Sequence, residues 1–309
     1  MAISHYIKEI GRGARGARAL TREQAADLFG QLLDGHASDL EVGAFCVAMR
    51  IKGESAAEMC GFLDAVHARM ARVPALAGGA PLVVLPSYNG ARRLPVLTPL
   101  LALLLAREGL AVLVHGMRTE ARRVLASDVL QSLGVPAPAA PEAIAPGAVG
   151  LLATAALHPG LARLLAVREA IGLRTPAHSV VKLLAPCAGP ALVVGSYTHP
   201  EYFELALDVA RELPLHLLLS RGLEGEVAAD PRRQPRYDAV VAGRHTLLAE
   251  QQAGTAAAVP GLPEAIDIET TAAYTRAVLN GALPVPEALA AQVRHITHVA
   301  RQIAQEAAA

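Results

Sequence analysis

Arginine residues cluster in two segments of this sequence that are predicted to follow neighbouring strands. The segment SYNGARR covers residues 87–93, and the segment VHGMR covers residues 114–118. Between residues 86 and 126 there are six arginines and two acidic residues. A guanidinium group binds phosphate oxygens bidentately, and its burial without a partner is costly. Five of these arginines are therefore predicted to face an anion or solvent: Arg92, Arg93, Arg118, Arg122 and Arg123.

The N-terminal segment is also basic. Glu9 is the one acidic residue between residues 8 and 22, against the cations Lys8, Arg12, Arg15, Arg18 and Arg22. Residues 11–16 match GxGxxG, but a dinucleotide fingerprint needs a preceding strand and an acidic residue about twenty positions on. A helix is predicted to begin near Thr21 instead. Two interpretations stay open, a glycine-rich segment that follows a phosphate backbone and a solvated, poorly ordered arm.

Carboxylates and histidines give no strong catalytic or metal-binding motif. Glu224 and Glu226 in SRGLEGEV are the best pair for Mg²⁺, although a solvated loop is the favoured interpretation. His115 follows a predicted strand and is expected to be structural by default. The sequence contains no GxSxG, P-loop or HExxH motif. We therefore predict no catalytic residue, no metal and no cofactor.

Composition excludes several classes of protein. The chain of 309 residues is 53% hydrophobic with a formal net charge of +0, which excludes wholesale disorder and a globally basic nucleic-acid binder. Aromatic residues make up only 3%, so the core must be aliphatic. Three cysteines without a CxxC spacing argue against a disulfide framework or a structural zinc site. No apolar stretch suits a signal peptide or a spanning helix, so we expect a cytoplasmic protein without membrane contact.

The order of predicted elements indicates two domains. Thr21, Ser38 and Ser55 are each followed three residues later by Glu or Gln, which predicts three helices that begin with capping boxes. Residues 1–73 are therefore predicted to form a small helical domain. Strands and helices alternate over residues 74–309, which predicts a larger α/β domain with a mostly parallel sheet.

From about residue 20 to residue 276 these segments resemble the anthranilate phosphoribosyltransferase family. HPGLARLLAVREAIGLRTPAHSVVKLLAP, residues 158–186, follows the family pattern HPAxxxVxxVRxxLGxRTxxNxLGPL. VHGMR is similar to KHGNR, and GLEGEV stands at the place of an acidic GxDEV motif. The resemblance implies a nucleoside phosphorylase/phosphoribosyltransferase-like fold whose helical domain is rejoined by helices within residues 158–186. It also implies a homodimer formed through the helical domain.

The departures from the family pattern bear on function. The Gly-rich GTGGDG loop that cradles pyrophosphate falls on residues 86–91, where Pro86 offers no N–H and Tyr88 and Asn89 are expected to obstruct close approach. The family's acidic Mg²⁺ pair falls on Gly225 and Glu226. These losses predict no chemistry with phosphoribosyl pyrophosphate. The resemblance leaves a possible residual ligand pocket formed by Ser87, Asn89, His115, Arg168 and Glu226.

SYNGARR, RIKGE, EIGRG and HPEY together resemble the YbiB-type branch of the family. That resemblance implies a non-catalytic dimer that binds DNA or RNA in a basic groove with little sequence preference. Tyr88 and Tyr6 are possible base-stacking residues. Two alternatives remain, a transferase with altered donor or acceptor and a small-molecule-binding or structural dimer. The predicted nucleic-acid contacts are Lys8, Arg12, Arg15, Arg18, Arg92, Arg93, Arg118, Arg122, Arg123, Arg174 and Lys182.

Overall fold

The structure is a computed structural model that describes residues 3–308, apart from Ala14 and Ala121. It begins with four helices. These are α1 (Ser4–Ile10), α2 (Arg22–Leu33), α3 (Asp39–Lys52) and α4 (Ala56–His67). The three predicted capping boxes form at the start of α2, α3 and α4, where Thr21, Ser38 and Ser55 each accept the backbone N–H three residues on.

The helical domain has a small aromatic core. Phe29 of α2 stacks on Phe62 of α4 with ring centroids 4.7 Å apart, and Phe45 of α3 meets both rings edge-on. Helix α1 packs against α3 and buries Ile10. The interpretation of residues 8–22 as a poorly ordered arm is thus wrong for residues 8–10, which end α1, because Ile10 and Ile3 just before the helix are buried.

The larger domain is a seven-stranded sheet in the order β3-β2-β1-β4-β5-β6-β7. The first five strands of this order are parallel, and the last two pairings are antiparallel. The sequence left residues 238–263 ambiguous, and the structure forms a hairpin there. The strands are β1 (Leu82–Ser87), β2 (Val112–Gly116), β3 (Val149–Ala153), β4 (Ala191–Tyr197), β5 (His216–Arg221), β6 (Tyr237–Val241) and β7 (Arg244–Ala249).

Helices cover both faces of this sheet. Alternate residues of β1 point to opposite faces, so Val83 and Leu85 pack in one core while Leu82 and Val84 pack in the other. The first face carries α5, α6, α11 and α12, and the second carries α10 and the helical domain. The helices after β1 are α5 (Thr98–Arg107), α6 (Ala126–Ser132), α7 (Thr154–Leu157), α8 (Pro159–Ile171), α9 (Ala177–Val180), α10 (Pro200–Glu212), α11 (Ile268–Leu279) and α12 (Glu287–Ala308).

Helices α8 and α9 return from the sheet to the helical domain. α8 packs against α2, and Arg163 donates to the Leu32 carbonyl at 2.7 Å. α9 packs against α4. A cleft therefore lies between the helical domain and the carboxyl ends of β1 and β4, where open parallel sheets bind ligands.

None of the helices in the described part of the chain is both long enough and apolar enough to span a membrane.

Candidate functional site

The loop after β1 closes around a buried carboxylate of its own chain. Glu226 is only 4% exposed. One of its oxygens accepts the backbone N–H groups of Asn89 and Gly90 at 2.9 and 2.8 Å. The other accepts the hydroxyls of Ser87 and Thr98 at 2.6 and 2.9 Å. Four donors that could hold an external oxyanion are thus satisfied from within the protein.

Glu224 binds the next part of the same loop. Its Oε2 accepts the backbone N–H groups of Arg92 and Arg93, both at 2.9 Å. Its Oε1 lies 3.6 Å from the Arg92 guanidinium. The interpretation of GLEGEV as a solvated loop is therefore wrong, since both carboxylates are anchors for residues 87–93. No group of three or more candidate metal ligands occurs among the residues that the structure describes.

Gly225 makes the close approach of these two segments possible. It has a φ of +84°, and a Cβ at this position would overlap the Asn89 side-chain amide nitrogen. The Asn89 amide in turn donates to the Glu224 carbonyl at 2.8 Å. A side chain at residue 225 would therefore separate the glutamates from the loop.

We expect Gly225→Ala to lower the free energy of unfolding by about 2–4 kcal/mol, through a strained φ and a steric clash. Urea unfolding measures the loss. Gly254→Ala is the matched control, because Gly254 has a φ of +75° with no atom within 4 Å of a Cβ. Equal losses in the two variants would contradict the packing of Gly225 against Asn89.

Tyr88 does not line the loop surface. Its side chain is 3% exposed, and its hydroxyl lies 2.8 Å from His115 Nδ1 and 2.9 Å from Thr154 Oγ1. Tyr88 therefore neither blocks a ligand nor stacks on a base, because its ring fills the core. His115 lies behind it, fully buried, so the structure does not place His115 in a ligand pocket. The other possible stacking residue, Tyr6, donates its hydroxyl to Asp27 at 2.6 Å.

Burial keeps three imidazoles neutral. It lowers the pKa of His67 to about 4 and the pKa values of His115 and His178 to about 3. The unfolded chain takes up these protons near pH 6.5, so each group contributes stability that is complete above that pH and is lost as the pH falls toward the folded pKa.

Urea unfolding should therefore show a stability that falls below about pH 6.5, by up to about 1.4 kcal/mol per pH unit for each histidine. His178→Gln should make this dependence shallower. His36→Gln, at an exposed histidine, should leave it unchanged. A stability that is flat between about pH 7 and pH 5 would contradict the neutral state of these groups.

Several predicted arginines are paired within the chain. Glu120 accepts from Arg168 at 2.5 Å and from Arg123 at 2.6 Å. Arg118 pairs with Asp128 at 2.5 Å. Arg12 pairs with Glu9 at 2.6 Å. Arg168 thus forms an ion pair with Glu120 instead of lining an open ligand pocket. The surface around β1 and β2 therefore carries fewer unpaired arginines than the number counted in the sequence.

The remaining predicted contacts divide into two groups, cations exposed on the surface and cations that line the cleft. In the first group, the side chain of Arg92 is 60% exposed. Five other cations are exposed and have no carboxylate within 4.0 Å in the described part of the chain: Lys8, Arg15, Arg18, Arg93 and Arg122. Arg174 and Lys182 instead line the cleft between the domains, which has a volume of about 440 Å³.

Arg50 of α3 is exposed and lines the cleft. Three roles in this region were not predicted from the sequence: those of Thr98 and Glu224 in holding the β1 loop, and that of His178 in the cleft. The family's phosphate-contacting Asn-x-Ser/Thr falls on Val96 and Thr98, and GLEGEV falls on an acidic family motif, so both gave signals for the first two roles. Nothing in the sequence pointed to His178.

Comparisons with known proteins agree with this architecture. The helical bundle domain of the glycosyl transferase family matches residues 4–70. YbiB of Escherichia coli (strain K12), a protein described as uncharacterized, is 38% identical over 93% of this chain and 91% of its own length. Anthranilate phosphoribosyltransferase of Methylobacterium sp. (strain 4-46) is 32% identical over 90% of this chain and 82% of its own length.

Solved structures give the same fold. Anthranilate phosphoribosyltransferase from Thermus thermophilus matches with a TM-score of 0.75 at 24% identity, over 97% of this chain and 89% of that one. The enzyme from Saccharomyces cerevisiae in complex with PRPP and Mg matches with a TM-score of 0.71 at 13% identity, with the same coverage. The extent of the sequence and structural similarity shows that this chain belongs to the anthranilate phosphoribosyltransferase family.

Proposed function

We propose that this protein binds DNA or RNA with little sequence preference through the exposed arginines beside the β1 loop. One observation carries the proposal: Glu224 and Glu226 hold the loop donors, while the Arg92 and Arg93 side chains at the end of that loop remain exposed. The loop that would hold a pyrophosphate is satisfied internally, and the cations beside it are left to bind an external anion.

The chemistry of this surface suits a phosphate backbone. Arginine contacts to phosphates fix a nucleic acid in place without reading its bases, and they need no metal. Arg122 follows β2, the strand next to β1 in the sheet, so it adds to the same rim. Arg15 and Arg18 are further exposed cations on the N-terminal segment.

The salt dependence of binding tests this proposal. We expect the affinity for a labelled oligonucleotide, measured by fluorescence anisotropy, to fall with salt with a slope of about −0.7 to −0.9 per phosphate contact. The measurement should be made with a single strand and with a duplex, which also identifies the preferred partner. An affinity that does not change with salt would contradict binding through phosphates.

The second candidate function is a glycosyl or phosphoribosyl transferase with an altered donor or acceptor, and family membership supports it. Two observations argue against the transferase. Glu226 accepts the backbone N–H groups of the loop that would bind pyrophosphate, and Arg168 is paired with Glu120. Calorimetric titration with phosphoribosyl pyrophosphate and Mg²⁺ decides between the two. Binding that requires Mg²⁺ would favour the transferase, and we expect no Mg²⁺-dependent binding.

We also propose that the protein is a homodimer through its helical domain. Leu40, Ala44, Val47 and Ile51 form an exposed apolar stripe along α3, and Leu40 and Ile51 are 84% and 69% exposed. Their spacing of four, three and four residues places them on one helix face. A second copy of the chain would bury this face.

The double variant Leu40→Glu with Ile51→Glu should therefore be monomeric at concentrations where the parent protein is a dimer, because charge on both helices would be buried at the interface. Light scattering after size exclusion measures the mass. Leu173→Glu, at another exposed leucine, is the control and should not change it. A dimeric double variant would place the interface elsewhere.

A further inference from the structure

One end of the cleft between the domains is cationic. All three residues of this end line the cleft: Arg174 lies in the loop after α8, His178 lies on α9, and Lys182 lies in the turn after α9. The loop that Glu226 closes is a separate feature, because its donors are the backbone and hydroxyl groups of residues 87–98. The cationic end is therefore a second set of donors.

The donors at this end lack partners. His178 is 5% exposed, and its Nδ1 accepts the Thr175 N–H at 3.2 Å, so its proton lies on Nε2. That Nε2 is buried and has no hydrogen-bond partner among the described residues. The Lys182 ammonium reaches only the Gly225 carbonyl, at 3.5 Å. Burial and the charge of Arg174 lower the pKa of Lys182 to about 8.

Arg174 is only partly satisfied. Its Nη2 donates to Asn89 Oδ1 at 2.8 Å. Within residues 3–308, Ala14 and Ala121 excepted, neither Arg174 nor Lys182 has a carboxylate within 4.0 Å. Cations held in a partly buried cleft without a counter-ion are costly to the folded protein, which indicates that an external anion completes the site.

The carboxylates of Glu226 and Glu120 act on Lys182 and Arg174 at longer range, and three further carboxylates line the cleft, but none forms an ion pair with this end. Oε2 of Glu224 accepts the backbone N–H groups of the β1 loop. Burial raises the pKa of Glu54, which favours its neutral form. Glu201 is exposed at the start of α10. The two cations and the imidazole N–H thus remain free to bind a ligand.

We propose that this end of the cleft binds the phosphate group of a small phosphorylated molecule. Two cations and a neutral N–H donor match a phosphate dianion better than a carboxylate monoanion. Met49, Tyr202 and Leu205 line the cleft as well and supply an apolar and aromatic wall for the rest of the ligand. The volume of about 440 Å³ falls in the usual range for small-molecule sites.

This proposal does not rest on nucleic-acid binding. His178 and Lys182 stand where the family pattern RTxxNxLGPL has Asn and Pro, so the donor pair is a feature of this chain rather than of the motif. Arg174 and Lys182 were predicted as contacts to a nucleic-acid backbone, and in the structure both line the cleft between the domains.

Calorimetry and ligand-dependent thermal unfolding of the full chain test the proposal, with inorganic phosphate, adenosine monophosphate and adenosine as probes. We expect saturable binding of the monophosphate, weaker binding of phosphate and none of adenosine. Lys182→Met should weaken monophosphate binding at least about tenfold. It should also raise the melting temperature of the free protein, since it removes an unpaired buried cation. Arg301→Met, an exposed site on α12, is the control for both readouts.

Two results would overturn the proposal. Absence of saturable binding by both phosphate and the monophosphate would overturn it, even if oligonucleotides bind. Lys182→Met that melts at a lower temperature and binds the monophosphate as before would also overturn it, because Lys182 would then be structural. An oligonucleotide with a 5′-phosphate distinguishes the source: a gain in affinity that depends on Lys182 assigns the site to a strand end, and no gain assigns it to a free small molecule.

Discussion

Glu226→Ala is expected to lower the free energy of unfolding by about 3–5 kcal/mol. The carboxylate accepts two backbone N–H groups and two hydroxyls, and alanine would leave all four donors without a partner in a buried loop. Urea unfolding measures the loss. Glu201→Ala, at an exposed glutamate on α10, is the control and should change stability by less than about 0.5 kcal/mol.

The same variant should gain a ligand. With the carboxylate removed, the free donors of the loop form a concave site for an oxyanion. Pyrophosphate should therefore raise the melting temperature of Glu226→Ala by more than that of the parent protein, by the linkage between binding and stability. A parent protein that responds to pyrophosphate as strongly as the variant would mean that Glu226 does not occupy this site.

Arg92→Ala combined with Arg93→Ala is expected to weaken oligonucleotide binding by roughly thirtyfold, since two net contacts of about 1 kcal/mol each are lost. The loss should be equal for unrelated sequences, because phosphate contacts carry no base information. The salt slope should become shallower by about 0.7–0.9 for each lost contact. The backbone N–H groups that bind Glu224 remain in both alanine residues, so the loop itself should be preserved.

A matched pair of exposed arginines controls this experiment. Arg294→Ala with Arg301→Ala removes two exposed cations from α12. Anisotropy should show an affinity and a salt slope close to those of the parent protein. If this pair weakens binding as much as the loop pair does, the surface beside β1 has no special role and the interaction reflects general charge.

The elements that were predicted from the sequence are those stabilised by contacts between residues close together in the sequence. The capping boxes at Thr21, Ser38 and Ser55 each join residues three positions apart, and all three formed. The β6–β7 hairpin was left ambiguous because its turn, Ala242 and Gly243, has positive φ at both residues but lacks the usual Asn-Gly or Asp-Gly signal. Helix α1 was missed because its burial depends on contact with α3, which is distant in the sequence.

The site was harder to predict because its contacts are non-local. Ser87 and Glu226 are 139 residues apart in the sequence, yet their side chains are 2.6 Å apart. Glu120 pairs with Arg123, which was predicted to face an anion or solvent, and with Arg168, which the resemblance placed in a ligand pocket. The family motifs placed the loop and the acidic segment at the same sheet edge. Only the side-chain geometry shows that the carboxylates of the acidic segment accept hydrogen bonds from the donors of the loop.

The most direct test of the central claim is the anisotropy of two labelled oligonucleotides of equal length and unrelated sequence at physiological salt, with and without phosphoribosyl pyrophosphate and Mg²⁺. We expect both oligonucleotides to bind with similar affinity and the phosphoribosyl donor to displace neither. Failure of both to bind would contradict the proposal, and Mg²⁺-dependent displacement by the donor would identify the family's donor site as functional.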